Sequence, residues 1–454
     1  MKTLNRRDFL VASGAAATTF AATPGISFAQ GMGGGAPFSD YRALVCVFLF
    51  GGNDSFNMLV PRSNAEYAVY AQSRQNLAID QADLLAINPA VPDGVDYGIH
   101  PSMPGLHGLF EAGAAAFVNN VGPLIEPTTK DQYFSGSVAL PPQLFSHNDQ
   151  QDQWQSLKGI TQSATGWAGR MADLIRLSAS DQRMATNASL FGSNLLQSAE
   201  ETVAYVMGPS GPVSFAGFSS DPNQPGWLQR EAFRRLLDVD YGSVYERAFA
   251  DVQRRAIDAV DDINAALDDA SLPPITTPFP QSQLGAQLQT VARLVNARNL
   301  LGMNRQVFFV AAGGFDSHDN QNQDQPNLLG GVSDAMTAFY DAMVELNVSD
   351  QVTQFTQSDF GRTLTSNGDG TDHAWGGNQL VIGDAVDGRR LFGNYPLLEI
   401  GGDEDVGGGR FIPSTSADQY AATLAAWWGI DDADLEIVAP NLGNFAERDL
   451  GLFS

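Results

Sequence analysis

The sequence predicts an α/β protein with a mainly parallel central sheet and helices on both faces. Two observations carry this. Short, uninterrupted apolar runs end at glycine or polar clusters, as strands buried on both sides do. Stretches of helical periodicity separate those runs, the alternation expected when helices cover a sheet. The 454 residues, 43% hydrophobic and 17% charged, exclude a disordered or fibrous chain.

The first run, Ala43–Phe50 (ALVCVFLF), is β-branched and aromatic and stops at Gly51-Gly52. Ala115–Val121, Gln306–Ala312, Gln351–Gln357 and Gln379–Ile382 repeat the pattern. Helices are expected over Pro104–Ala112, Thr202–Met207, Arg230–Leu267, Leu284–Leu301, Val332–Leu346 and Ala417–Trp428. Arg230–Leu267 is rich in Arg, Asp and Ala and leads into a proline-rich link, Leu272–Pro280. Residues 41–454 are therefore expected to form one α/β domain, with a helical insertion at about 185–285. Gly401–Arg410 (GGDEDVGGGR) is a Gly/Asp-rich segment without helical or strand character. Neither GxGxxG nor GxxxxGK[ST] occurs, so no nucleotide-binding loop is signalled.

The amino terminus reads as an address. Arg6-Arg7 precede Phe9-Leu10, an Ala/Thr/Gly-rich apolar run follows, and Ser27-Phe28-Ala29 has the small-x-small form of a cleavage site. That order of segments describes an export signal over residues 1–29, and its Arg-Arg-Asp-Phe-Leu core resembles the twin-arginine type. The apolar run is too short and too Ala/Gly-rich to span the ~30 Å of hydrocarbon in a bilayer. Residues 30–40 are expected to be a flexible lead-in. The expected partner here is the twin-arginine export machinery, the expected location periplasmic or secreted, with no stable membrane span.

Asp+Glu number 51 against 25 Lys+Arg, a formal net charge of −26, and only Lys2, Lys130 and Lys158 are lysines. Such a surface repels phosphate backbones, so nucleic acid is not an expected partner. The single cysteine, Cys46, excludes an internal disulfide or a thiolate metal cluster.

In an open α/β sheet, ligands bind beyond the carboxyl ends of the strands. After Ala43–Phe50 come Asn53 and Asp54; after Gln306–Ala312 come Asp316 and His318; after Gln351–Gln357 come Asp359, Arg362 and then His373. A fourth cluster, Ser146-His147-Asn148-Asp149, precedes a helix expected through Trp154. Carboxylates gathered on one rim repel one another, and a divalent cation held by Asp oxygens and imidazoles relieves that repulsion. Asp54, Asp316, His318, Asp359 and His373 are thus candidate metal ligands, for zinc, manganese or calcium. Each also has a bland reading: an Asp after a strand as a cap or turn former, Ser146 as a helix N-cap, Arg362 as half of a structural ion pair. His100 and His107 read as packing or loop-anchoring residues.

The motifs RRDFL, FGGNDSFN, IHPSMPGL, FSHNDQQDQWQ, GGFDSHDNQ, SDFGRT and DHAWGG together resemble a bacterial family, domain of unknown function family 1501. The late segments FIPSTSADQYAATLAAWWGI and APNLGNF fit it as well. That family is similar, more distantly, to the alkaline phosphatase and sulfatase superfamily of α/β enzymes with a two-metal site. The resemblance implies Asp54, Asp316, His318, Asp359 and His373 as metal positions and Ser146 as nucleophile. Two features depart from it: Phe360 stands where an imidazole is expected, and Asp316 and His318 are spaced Asp-x-His.

The expected activity is metal-dependent hydrolysis of phosphate or sulfate esters, of a small molecule or a glycan, by an exported enzyme. Ser146 or a metal-bound water is the expected nucleophile. Arg362 and Asn53 would hold the non-bridging oxygens, and His147 would bind substrate or move a proton. The alternative is a non-catalytic descendant of the fold that binds an extracellular anion, glycan or protein.

Overall fold

The computed structural model describes residues 38–160, 163–179, 182–212 and 217–453. The expected export signal, and the lead-in as far as residue 37, lie outside the described residues. Residues Pro37–Ser454 form one compact unit.

Among the described residues the strands are β1 (Arg42–Leu49), β2 (Leu59–Pro61), β3 (Leu85–Ile87), β4 (Tyr97–Ile99), β5 (Ala115–Gly122) and β6 (Asn187–Ser189). They continue with β7 (Tyr205–Val206), β8 (Arg305–Ala312), β9 (Val352–Ser358), β10 (Gly377–Ile382), β11 (Leu391–Phe392) and β12 (Thr415–Ser416). The main sheet runs β11-β5-β10-β9-β1-β8-β6-β7, with β12 also on β5. Its pairings are parallel except where β10 lies antiparallel between β5 and β9. The sheet is therefore mixed and mostly parallel, and helices flank it. β2, β4 and β3 make a separate small antiparallel sheet.

Strand alternation explains why β1 is apolar from Ala43 to Leu49. Ala43, Val45, Val47 and Leu49 face one core, while Leu44, Cys46 and Phe48 face the other. β8 divides the same way, Phe308 and Val310 against Val307, Phe309 and Ala311. Period-two alternation with both faces covered leaves no position for a solvated residue. The helices Pro104–Ala112, Gln283–Asn296 and Gln321–Glu345 contribute to the first core. Trp167–Ile175 and Ala417–Trp428 contribute to the second.

β9 is buried yet mostly polar, and several of its side chains are bonded to neighbouring strands, the β1 end and a covering helix. Thr356 Oγ1 donates to Gln379 Oε1 (2.8 Å), Gln354 Nε2 to the Met336 carbonyl (3.1 Å) and Ser358 Oγ to the Leu49 carbonyl (2.6 Å). Buried polar groups need such partners.

Three stretches differ from the sequence reading. Thr202–Met207 is not helical: Tyr205–Val206 is β7, an edge strand parallel to β6. Six residues with three β-branched and one aromatic position are too few for a stable helix turn set. Arg230–Leu267 is two helices, Pro225–Leu237 and Val244–Leu267, broken over a segment that contains Gly242. The helix expected from Val332 begins earlier, at Gln321, and includes Pro326.

His100, just after β4, is almost fully buried, and its Nδ1 accepts the Ser102 N–H at 3.1 Å. Burial pushes its imidazole down to about 4. The unfolded chain, with an ordinary value near 6.5, binds the proton first, so stability is lost as pH falls between those values, by roughly 3 kcal/mol. Unfolding midpoints in urea measured from pH 7.5 to 4.5 should show wild type declining more steeply than His100→Asn, whose amide oxygen still accepts from Ser102.

Candidate functional site

The site lies beyond the carboxyl ends of β1, β8 and β9, and backbone geometry brings their loops together. Gly51 has φ +117°, and a Cβ there would sit 2.3 Å from the Asp316 backbone nitrogen. Gly52 has φ +86°, and its Cβ would meet the Phe360 ring at 2.5 Å. Glycine alone permits that backbone conformation and that closeness. The segment between β9 and β10 folds back on itself: Gly361 N–H donates to the Trp375 carbonyl and Thr363 N–H to the Asp372 carbonyl, both at 2.9 Å. Arg362 and His373 face each other across this ladder. This return makes β10 antiparallel and places both motifs on one edge.

Asp316 is the hub. Its Oδ1 accepts from Arg362 Nη1 (2.7 Å) and lies 3.1 Å from His318 Nε2 and 3.3 Å from His373 Nε2. Its Oδ2 is 3.4 Å from His147 Nε2. The ligand atoms of His147, Asp316 and His373 all lie within 4.8 Å of one another. His318 adjoins them, with its Nε2 2.9 Å from His373 Nε2 and its Nδ1 3.3 Å from Asp372 Oδ1.

The outer nitrogens decide the tautomers. His147 Nδ1 contacts Asp359 Oδ2 (2.7 Å), and His373 Nδ1 contacts the Phe145 carbonyl (2.7 Å). Both partners accept only, so each Nδ1 carries hydrogen and each neutral ring turns the lone pair of Nε2 inward. Two imidazole lone pairs and a carboxylate thus face one another, a crowding of acceptors met in part by Arg362, which donates to Asp316 Oδ1, and by His318 Nε2 beside Asp316 and His373. A cation resolves it, and imidazoles steadied by a carboxylate or carbonyl behind them are the usual metal-binding form.

Burial works to raise the Asp316 carboxyl, but the Arg362 hydrogen bond and charge, with His318 and His147, outweigh it and hold it below the ordinary value. Burial lowers the His373 imidazole; the Phe145 carbonyl opposes this, and the Arg362 charge adds to it. Both shifts favour the forms that coordinate a metal.

The remaining sequence candidates occupy other places. Asp54 is buried and ion-paired to Arg74, with Gln321 Nε2 donating to its second oxygen; it does not join the acceptor cluster. Asp359 is fully buried behind His147, and also accepts from Gln151 Nε2 (2.9 Å) and Gly51 N–H (3.2 Å). It orients an imidazole. Arg362 is fully buried and uses its donors on Asp316, the Gly51 carbonyl and both oxygens of Thr371. The Asn53 side chain points inward, its Nδ2 3.8 Å from Met58 Sδ. Ser146 occupies the N-cap position of the helix His147–Ser156, but its Oγ donates to Asp149 Oδ2 (2.6 Å). Phe360 lies on the imidazoles, its ring centroid 4.5 Å from His373 and 4.9 Å from His147.

Sequence reasoning gave His147 a substrate role and overlooked Gln151, Asp372 and Arg74. Gln151 was within reach: four residues after His147 on one helix, it shares its face. Arg74 carried no such signal, because its partner lies 20 residues away, outside the helix Asn64–Arg74.

The fold and site define an α/β protein with a candidate cation centre at the carboxyl edge of a mostly parallel sheet. The chain belongs to the family described as "Protein of unknown function (DUF1501)", whose model matches residues 41–435. No curated protein matches it. Among solved structures it is similar to Ps i-CgsB in complex with k-i-k-neocarrahexaose, at 9% identity and TM-score 0.37, over 87% of this chain and 74% of that one. It is also similar to the PsFucS1 sulfatase from Pseudoalteromonas sp. (8%, TM-score 0.34, 99% and 77%). A third is the lipoteichoic acid synthase LtaP from Listeria monocytogenes (9%, TM-score 0.32, 87% and 74%). Among the described residues no helix is long and apolar enough to cross a membrane.

Proposed function

We propose that this protein is an exported, metal-dependent hydrolase of phosphate or sulfate esters. The observation that carries the reading is the inward-facing acceptor set of His147, Asp316 and His373. Two imidazole nitrogens and one carboxylate suit zinc or manganese; calcium, which takes six to eight oxygen ligands, fits less well. When bound, such an ion polarises an ester oxygen and lowers the pKa of water.

The chain's own residues supply the rest. Asp359 and Gln151 hold His147 in one tautomer, and the Phe145 carbonyl does the same for His373. Arg362 keeps Asp316 ionised and fixed in place. Phe360 covers the ring faces and keeps water from one side of the imidazoles. Asp149, already accepting the Ser146 hydroxyl hydrogen, stands where a base would take that proton if Ser146 attacks; otherwise the nucleophile is water, and Ser146→Ala leaves turnover intact.

The test is elemental analysis of the mature protein together with assays of aryl phosphate and aryl sulfate hydrolysis in zinc and in manganese. Bound metal near one ion per chain, with turnover that a chelator abolishes and the metal restores, is the expected result. Absence of both metal and turnover would sink the proposal. A non-catalytic anion or glycan binder is the second reading, favoured by Phe360 lying against the imidazole faces; stabilisation by a sulfated glycan without any turnover would select it.

A further inference from the structure

The Gly401–Arg410 loop ends at the site, where Arg410 meets the His373 carbonyl. Its backbone wraps one carboxylate: Asp405 Oδ1 accepts the N–H groups of Gly407 (2.7 Å), Gly409 (2.9 Å) and Arg410 (3.0 Å), and Oδ2 accepts that of Gly401 (2.8 Å). A buried carboxylate holding four backbone donors fixes the loop's shape. The chain is thereby delivered to Arg410 in one conformation.

Arg410 Nε donates to the His373 carbonyl (2.8 Å), Nη1 donates to the Gly407 carbonyl (2.9 Å), and the guanidinium lies 5.2 Å over the Phe145 ring. It therefore touches both the residue that brings one imidazole into the acceptor cluster and the residue whose carbonyl orients it. Arg410 is half-buried and makes no ion pair among the described residues, in a chain with 51 acidic and 25 basic residues. Arg362, the other guanidinium at the site, is fully buried and bonded to protein oxygens. Lys130 Nζ donates to the carbonyls of Gly401 (3.0 Å) and Gly402 (2.8 Å), a second cation anchored on the same loop.

We infer that Arg410 is a substrate-binding residue that holds the phosphate or sulfate group of the ester at the mouth of the site. The inference rests on the hydrolase reading. Its physical basis is that a guanidinium makes charge-assisted hydrogen bonds to an oxyanion, and that Nη2 remains for that contact while Nε and Nη1 fix the group on backbone carbonyls.

The experiment measures binding of inorganic phosphate and of sulfate to the metal-loaded full chain by calorimetry, in wild type, Arg410→Gln and Arg410→Lys, with bound metal quantified in each. The expected result is a dissociation constant raised about tenfold or more in Arg410→Gln, partial recovery in Arg410→Lys, and unchanged metal content. With an ester substrate, KM rises by a similar factor and kcat changes less. Unchanged anion affinity in Arg410→Gln overturns the inference. So does parallel loss of metal, which would make Arg410 a positioning residue for His373, and so does a wild-type chain that binds neither anion. A chain that binds these anions through Arg410 but turns over no ester overturns the hydrolase reading alone.

Discussion

Replacing His147 with alanine should empty the cation centre: bound metal falls from about one ion per chain to a small fraction of that, and ester turnover drops by at least about 100-fold. Asp316→Ala and His373→Ala should behave alike, because each removes one of the three groups that converge within 4.8 Å. The informative contrast is with Asp54→Ala and His318→Ala. The Asp54 carboxylate is engaged by Arg74 and Gln321, and His318 stands beside the trio, with Asp372 behind it. Both variants should keep most of their metal. Asp359→Ala should lie between the groups, weakening metal affinity about 10- to 100-fold, since it removes only the partner that orients His147. Elemental analysis after dialysis, with circular dichroism to confirm folding, reads every case. Equal metal loss in Asp54→Ala and His147→Ala would refute the assignment.

Arg74→Ala should destabilise the fold by about 3–5 kcal/mol, the usual cost of breaking a buried ion pair from one side. Arg74 and Asp54 are both essentially inaccessible to solvent. The guanidinium also serves Asn57 Oδ1 (2.9 Å), which the Tyr70 hydroxyl shares (2.9 Å), and the Thr363 carbonyl (3.0 Å), so its removal takes a donor from three acceptors at once. One of them lies on the β9–β10 segment that carries the site. The double variant Arg74→Met with Asp54→Ala should be less destabilised than Arg74→Ala, because no uncompensated charge remains inside. Urea unfolding of the three proteins tests this. A loss below about 1 kcal/mol in Arg74→Ala, the range of an exposed pair, would show that the pair is not buried in solution.

These expectations divide along the line between local and distant information. β1 and β8 were legible because strands covered on both faces carry long apolar runs, Ala43–Leu49 and Val307–Ala312 here, and composition reports that directly. β9 was legible despite its threonines and glutamines because it kept strand composition between clear turns. The rim position of Asp316, Asp359 and His373 followed from the rule that loops after parallel strands share an edge. The division of Arg230–Leu267 into two helices was not legible, since its apolar spacing continues across the break.

By itself the sequence determined the α/β class, the main buried strands and the set of loops that could meet. Tertiary structure alone decided which side chains in those loops face one another. Asp54, Asp316 and Asp359 look equivalent as letters after a strand, yet one is neutralised by Arg74, one steadies His147 and one stays at the centre. The reason is that a carboxylate's role depends on what lies within about 4 Å of it. Those neighbours, Arg74 for Asp54 and His147 for Asp359, come from other elements, 20 and 212 residues away in the chain, which no local pattern records.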